Sequence, residues 1–446
     1  MKLILGALVT ALAVFEVSAA TIAVIDSGLD RRHEALAPRM WENSAPLEGS
    51  FASARFGWNF TNNGPELLDE SLLPIFSSAD LRRYYELTGK SFLFQVTPEE
   101  REWARERLKD PEFRRLANAY GTFIHGTHVA GIAARASQNK IMGVTYLRTS
   151  LSAEVEAFKA QKDFQELELA ETVPWPVLTM FIEQAAQRQN QGLREIARFV
   201  RLHGARVANG SFGSGKRQGT DYARHLFGSL LGRVPTTEEA ERVARILLDS
   251  LVRQGKDFVA EAPQTLFVFA AGNDALNNDE NTFAPANIEA ANVISVAATY
   301  RDEFFAPFSN WGTRTVDVAA PGLYIHSAVP GGGELPVSGT SQAAPFVSNV
   351  VGSMVDENPA LTPAQLKRIL VETVDKKDFL KIRVRSGGMV NAARAIRAAR
   401  LSKTTGLSEA IVLSHFAVTD AVYPKSRSLV DLGAVAPLEM PGLFEL

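Results

Sequence analysis

The run Thr21-Ile22-Ala23-Val24-Ile25 ends directly on a carboxylate, Asp26. Five consecutive apolar or β-branched positions without polar alternation are the pattern of a strand buried on both faces, as a parallel sheet requires. Similar runs recur at Ala205-Arg206-Val207-Ala208, Thr265-Leu266-Phe267-Val268-Phe269 and Val293-Ile294-Ser295-Val296, with long stretches of helical periodicity between them. Strands alternating with helices predict an α/β fold built on a mainly parallel sheet. Such sheets place their ligands beyond the carboxyl ends of the strands. Asp26 stands at one such end, and Asn273 follows another.

Three helix starts are legible. Thr97-Pro98-Glu99-Glu100 combines a capping-box threonine, proline at the first helical position and glutamate three residues on. Thr362-Pro363-Ala364-Gln365 repeats the arrangement ahead of Leu366, Ile369 and Leu370. Thr236 with Glu239 opens a third helix, whose apolar face is Val243, Ile246, Leu247 and Leu251. After about Ser402 clear periodicity is lost, and 403–446 reads as a C-terminal tail or small extension.

The 446 residues can bury one large core or two modest ones. A net charge of −3 gives no electrostatic reason to expect nucleic acid or an anionic membrane as partner. Cysteine is absent, which excludes disulfides, zinc-thiolate sites and thiol nucleophiles. At the N-terminus Lys2 precedes a largely apolar run from Leu3 to Phe15, followed by Val17-Ser18-Ala19-Ala20. This is the order of a secretory signal peptide, 1–19, cut after Ala19 or Ala20, and it predicts a secreted or periplasmic protein. A buried first element or an uncleaved anchor is the competing reading, but the run is short for a bilayer. No other stretch is long and apolar enough to span a membrane, so no stable span is expected after cleavage.

Three segments carry chemistry. Ile25-Asp26-Ser27-Gly28 offers a carboxylate at a strand end, although alone it is more often a turn. His125-Gly126-Thr127-His128-Val129-Ala130-Gly131 offers an imidazole among small residues that suit a tightly packed helix. His128 shares the helix face of His125 and could pass for half of a metal pair, but no HExxH pattern or third ligand accompanies it. Ser338-Gly339-Thr340-Ser341-Gln342-Ala343-Ala344-Pro345 offers a hydroxyl, in isolation most simply an N-cap. The esterase elbow GxSxG fails here, because Ala343 stands two residues after Ser341. A serine hydroxyl becomes nucleophilic only when an adjacent base takes its proton, and that base needs a third group to hold its tautomer. The chain order Asp, His, Ser is itself diagnostic, since unrelated folds use other orders.

Together these segments resemble the subtilisin-like serine proteases. The D-[ST]-G motif is Asp26-Ser27-Gly28, followed by His33-Glu34-Ala35-Leu36. H-G-T-H-V-A-G stands unchanged at 125–131, and G-T-S-x-A-x-P at 339–345, with Gln342 where methionine is commonest. Phe269-Ala270-Ala271-Gly272-Asn273 is similar to the oxyanion segment. Asn292–Ala298, Val316–Gly322 and Ser386–Ala392 are similar to later core segments. The resemblance implies a three-layer α/β sandwich with a mainly parallel central sheet, and serine endopeptidase chemistry on peptide or protein substrates. It assigns Asp26, His125 and Ser341 to the triad and Asn273 to the oxyanion. It also implies that Ser211, Phe212 and Gly213 wall the primary substrate pocket opposite Ala271 and Gly272. Phe283 stands near the pocket base, where small residues are usual, so a shallow pocket for small or medium side chains is expected.

The chain also departs from the pattern. The catalytic domain, 20–402, carries helical insertions near 65–120, 150–202 and 216–259. The first should lie near the rim of the site, with Glu99–Arg115 as a solvated helix face. The helices of the later insertions are expected to cap the cleft and restrict access. No propeptide separates signal from first strand, so folding needs none or is assisted by the insertions or the tail. The chemistry requires no cofactor or metal. Structural calcium, common in the family, has no sequence support, because Ser137-Gln138-Asn139-Lys140 lacks carboxylates and no Asp-rich loop occurs. The rival readings are a non-catalytic scaffold on the same fold, a related acyl transferase, and a sedolisin-type acid protease. The complete residue set disfavours the first, and the histidine motif the last.

Overall fold

The computed structural model describes residues 19–44, 51–149 and 173–422. Most of the expected signal segment, the first part of the second insertion and the end of the tail lie outside them.

The first strand, β1 (Thr21–Asp26), forms where the apolar run places it, and β2 (Gly57–Asn59) follows. The first insertion builds α1 (Ala79–Phe92) and α2 (Pro98–Lys109). Only Ala104 of α2 is buried, so its Glu and Arg residues face outward. Asp110 then ends α2 and caps α3 (Pro111–Ala134), accepting from the Glu112 N–H at 2.9 Å. The histidine segment therefore does not begin a helix at His125. It is the second half of one whose first half belongs to the insertion.

Next come β3 (Lys140–Thr145), α4 (Trp175–Leu202), β4 (Val207–Gly210), α5 (Lys216–Leu231) and α6 (Thr237–Ala260). They are followed by β5 (Leu266–Ala270), β6 (Val293–Tyr300), β7 (Phe304–Phe305), β8 (Val318–Pro321) and the hairpin β9 (Ile325–Ala328) and β10 (Glu334–Val337). The chain closes with α7 (Thr340–Glu357), α8 (Pro363–Glu372), β11 (Asp375–Lys376), β12 (Gly388–Met389), α9 (Ala392–Leu401) and α10 (Leu407–Ala417). The capping boxes read at Thr97, Thr236 and Thr362 all form.

The strands make one sheet in the order β2-β3-β1-β4-β5-β6-β8-β12-β11, with β7 paired to β6. Within this sheet every pairing is parallel except β6–β7 and β11–β12, and β9 and β10 pair antiparallel as a separate two-stranded sheet. Alternate residues feed two cores, as a pleated strand dictates. Ile22, Val24, Leu266 and Val268 join Val129, Val347 and Val351 of α3 and α7 on one face. Ala23, Ile25, Phe267 and Phe269 join Ile196, Phe199 and Phe258 of α4 and α6 on the other. The result is a three-layer α/β sandwich. β1 lies between β3 and β4, where the strand order reverses, and this is where such sheets open a crevice at their carboxyl ends.

The insertions add cores of their own. Leu81, Tyr85, Tyr120 and Phe123 pack with Val329 and Leu335 beside the β9–β10 hairpin. Ile182, Phe227, Val243 and Leu247 knit α4, α5 and α6 together. The segment after Ser402, read as a tail or small extension, contains α10. Ile411 of this helix enters the main core, while Val412, Leu413 and Phe416 point outward. Apolar residues on both sides leave no single stripe, which is why periodicity does not reveal the helix.

Candidate active site

Asp26 is the last residue of β1, and His125 lies in the middle of α3. His125 Nδ1 donates to Asp26 Oδ1 at 2.7 Å, with both side chains almost fully enclosed. The same Asp26 oxygen accepts from the Ser27 N–H at 2.7 Å. With the proton held on Nδ1, the lone pair lies on His125 Nε2, which has no hydrogen-bond partner among the described residues. That is the state of a base waiting for a proton.

The helix is seated on the strand end by atoms that leave no slack. A Cβ on Gly126 would stand 2.0 Å from the Gly28 carbonyl oxygen, so only glycine permits this approach. Ser27 Oγ accepts from the Gly126 N–H at 3.2 Å and donates to the Thr122 carbonyl at 2.5 Å. Residues 122 and 126 are an i→i−4 pair, so the hydroxyl stands inside the helical ladder beside His125. Sequence reasoning treated Ser27 as a turn residue and missed this role.

Ser341 occupies the first turn of α7 behind Gly339. Its N–H, like others of a first helical turn, has no intrahelical acceptor. Asn273, just beyond β5, is fixed through its oxygen. Oδ1 accepts from the Thr340 N–H at 2.8 Å and from Thr340 Oγ1 at 2.9 Å. This leaves Asn273 Nδ2 as a donor. A Cβ on Gly339 would lie 3.5 Å from Ser341 N and 3.6 Å from Asn273 Nδ2. Both donors therefore lie near one point beside Gly339, and Gln342 Oε1 stands 2.8 Å from the same point.

Ser341 Oγ donates to the Ser211 carbonyl at 3.2 Å. In return Ser211 Oγ donates to the Ser341 carbonyl at 2.9 Å. That carbonyl would normally receive the N–H four residues on, but Pro345 has none. Ser211 supplies the missing donor and is itself held by Asn209 Nδ2 at 2.9 Å.

The expected pocket residues divide. Phe283 lies against both proposed walls: a Cβ on Gly213 would stand 2.2 Å from its ring, and one on Gly272 2.8 Å from it. The buried ring fills the space between Gly213 and the Ala271-Gly272 segment. The Phe212 ring packs 5.2 Å from Tyr146 and 6.3 Å from Phe269, and Phe212 also borders a cleft. This cleft, of about 350 Å³, is lined by Phe212, Gly213 and Ser214 together with Tyr146, and by Gln189, Leu193 and Leu251 of α4 and α6.

His128 is buried away from the reactive atoms. Its Nε2 lies 2.9 Å from the Leu335 carbonyl and its Nδ1 3.5 Å from Gln342 Nε2. Burial pushes its pKa down to about 3, so the ring is neutral. No group of three or more metal-ligating side chains surrounds it or occurs elsewhere among the described residues.

The model of the subtilase family matches residues 18–395. The chain belongs to that family. Alkaline serine exoprotease A of Vibrio alginolyticus is 39% identical over 105 residues, covering 24% of this chain and 19% of that protein. The extracellular basic protease of Dichelobacter nodosus is 38% identical over 144 residues, 30% of this chain and 23% of that protein. The match thus spans less than a third of the length of either relative. A cold-adapted subtilisin-like serine proteinase of known structure shares 20% identity over 85% of this chain and 89% of its own, with a TM-score of 0.43. Similarity at that level adds nothing to the family match.

Proposed function

We propose that this subtilase is an exported serine endopeptidase. The observation that carries the reading is the buried 2.7 Å bond from His125 Nδ1 to Asp26, which leaves Nε2 without a hydrogen-bond partner among the described residues.

In this mechanism Ser341 Oγ leaves the Ser211 carbonyl by rotation about χ1 and presents its proton to His125 Nε2 as it attacks the peptide carbonyl. Asp26 holds the imidazole in place and stabilises the imidazolium. The tetrahedral oxyanion takes hydrogen bonds from the Ser341 N–H and Asn273 Nδ2. His125 returns the proton to the leaving amine, and a water molecule then releases the acyl group by the same steps. No cofactor enters the reaction. Ser211, Phe212, Gly213, Ala271, Gly272 and Phe283 form a shallow primary pocket, while α4 and α6 border the approach and restrict it to extended chains.

Export is supported by the N-terminal sequence pattern, and by the word extracellular in the name of one relative. No helix among the described residues is long and apolar enough to cross a membrane. The test is hydrolysis of short peptides, an unfolded protein and a folded one, with Ser341→Ala as control. Cleavage of the first two by the wild type only, with the folded protein spared, is expected. Activity surviving Ser341→Ala would overturn the assignment, and equal rates on folded and unfolded protein would remove the restriction.

A further inference from the structure

Asp356 occupies an unfavourable place for a carboxylate. It lies in the last turn of α7, where the helix presents partial negative charge. Half-burial and the adjacent Glu357 raise its pKa above the usual carboxylate range. Its neighbour Glu357 does have a cationic partner: Arg400 forms a two-pronged pair with it at 2.9 and 2.5 Å. Asp356 has no ion-pair partner among the described residues. Its hydrogen bond comes from the backbone nitrogen of Ala20, 2.6 Å from Oδ1.

That nitrogen is fixed. Ala20 is buried in the main core, and its carbonyl accepts from the Lys140 N–H at 2.8 Å. Just before it, Val17-Ser18-Ala19 places small or β-branched residues at the third and first positions ahead of the Ala19–Ala20 bond. The nitrogen aimed at the unpaired carboxylate is thus the one that a cut after Ala19 would free.

We propose that the chain is processed between Ala19 and Ala20, and that the new Ala20 ammonium forms an ion pair with Asp356. This rests on the export reading. An export-coupled endopeptidase adds one water across the Ala19–Ala20 bond, leaving a carboxylate on Ala19 and an amine on Ala20. The amine takes a proton at neutral pH, because α-amino groups titrate near 8. A cut after Ala20 would remove the nitrogen, and an earlier cut would leave an uncharged amide. The pair has a structural consequence. β1 carries Asp26 at its far end and α7 carries Ser341 at its far end, about 22 Å along the helix from Asp356. The Ala20–Asp356 pair fastens the two elements at the end away from the triad.

The test uses Ser341→Ala protein, so that no readout depends on activity. Intact mass of protein secreted by an exporting host should give Ala20 as the first residue. Separately, protein beginning at Ala20 is compared with the same chain N-acetylated, each with Asp356 and with Asp356→Asn. Acetylation should lower Tm by about 2–4 °C when Asp356 is present and by much less in Asp356→Asn. If Asp356→Asn fails to fold, a chain with one glycine before Ala20 replaces it and should show the loss seen on acetylation. A first residue at Thr21, or equal losses in both backgrounds, or no loss on acetylation, overturns the pairing and leaves export standing. An exported chain that keeps 1–19 overturns both.

Discussion

Ser211 and Ser341 hold each other through two hydrogen bonds of opposite sense, from Ser211 Oγ to the Ser341 carbonyl at 2.9 Å and from Ser341 Oγ to the Ser211 carbonyl at 3.2 Å. The first exists because Pro345 cannot supply the N–H that the Ser341 carbonyl would otherwise receive. Ser211→Ala removes the donor and leaves a buried carbonyl unsatisfied, at a cost of about 1–3 kcal/mol. Denaturant unfolding should show that loss, and a smaller loss in Ser211→Thr, which keeps the hydroxyl. Equal stability of wild type and Ser211→Ala would show that the carbonyl finds another partner.

Asn273 is anchored by its oxygen to Thr340, which leaves its side-chain nitrogen as the donor that the proposed mechanism uses. Asn273→Ala should therefore lower kcat with little change in KM. The corresponding loss in subtilisin is about 10²–10³-fold in kcat. Steady-state kinetics on one peptide checks this, and a change confined to KM would assign Asn273 to ground-state binding instead.

Phe283 fills the space between Gly213 and Gly272. The wild type should cleave after small or medium residues, and Phe283→Ala should raise the relative kcat/KM for a large aromatic residue about tenfold or more. Paired peptides differing only at that residue give the ratio. Efficient aromatic cleavage by the wild type would contradict the shallow pocket.

His128 couples stability to pH. Burial lowers its folded-state pKa to about 3, while an unfolded histidine titrates near 6.5. The unfolded chain therefore binds the extra proton between those values. The stability that His128 contributes as a neutral ring is complete above about pH 6.5 and falls as pH drops toward 3, by up to about 1.4 kcal/mol per pH unit. In His128→Asn this part of the slope should vanish, as unfolding measured from pH 7 to pH 4 would show. Unchanged slopes would mean that other groups govern the acid limb.

Much of this was readable from residue order. Asp26 at the end of an unbroken apolar run marked both a buried parallel strand and a site at its carboxyl end. The capping boxes at Thr97, Thr236 and Thr362 marked helix starts because their hydrogen bonds are local. What escaped depends on atoms far apart in the chain. Ser27 entering the ladder of α3 between residues 122 and 126 is a tertiary contact with no local signature. Pro345 was a readable hint, since a proline four residues after Ser341 demands an outside donor, but nothing local named Ser211. α10 escaped because Val412, Leu413 and Phe416 face outward and blur its apolar stripe.

The central claim is that Asp26 and His125 activate Ser341. A fluorophosphonate probe reacts only with an activated serine, so mass spectrometry of the labelled protein tests it directly. The account predicts one adduct, on Ser341, lost in Ser341→Ala and strongly slowed in His125→Ala. No adduct on folded wild-type protein, or labelling at the same rate without His125, would contradict it.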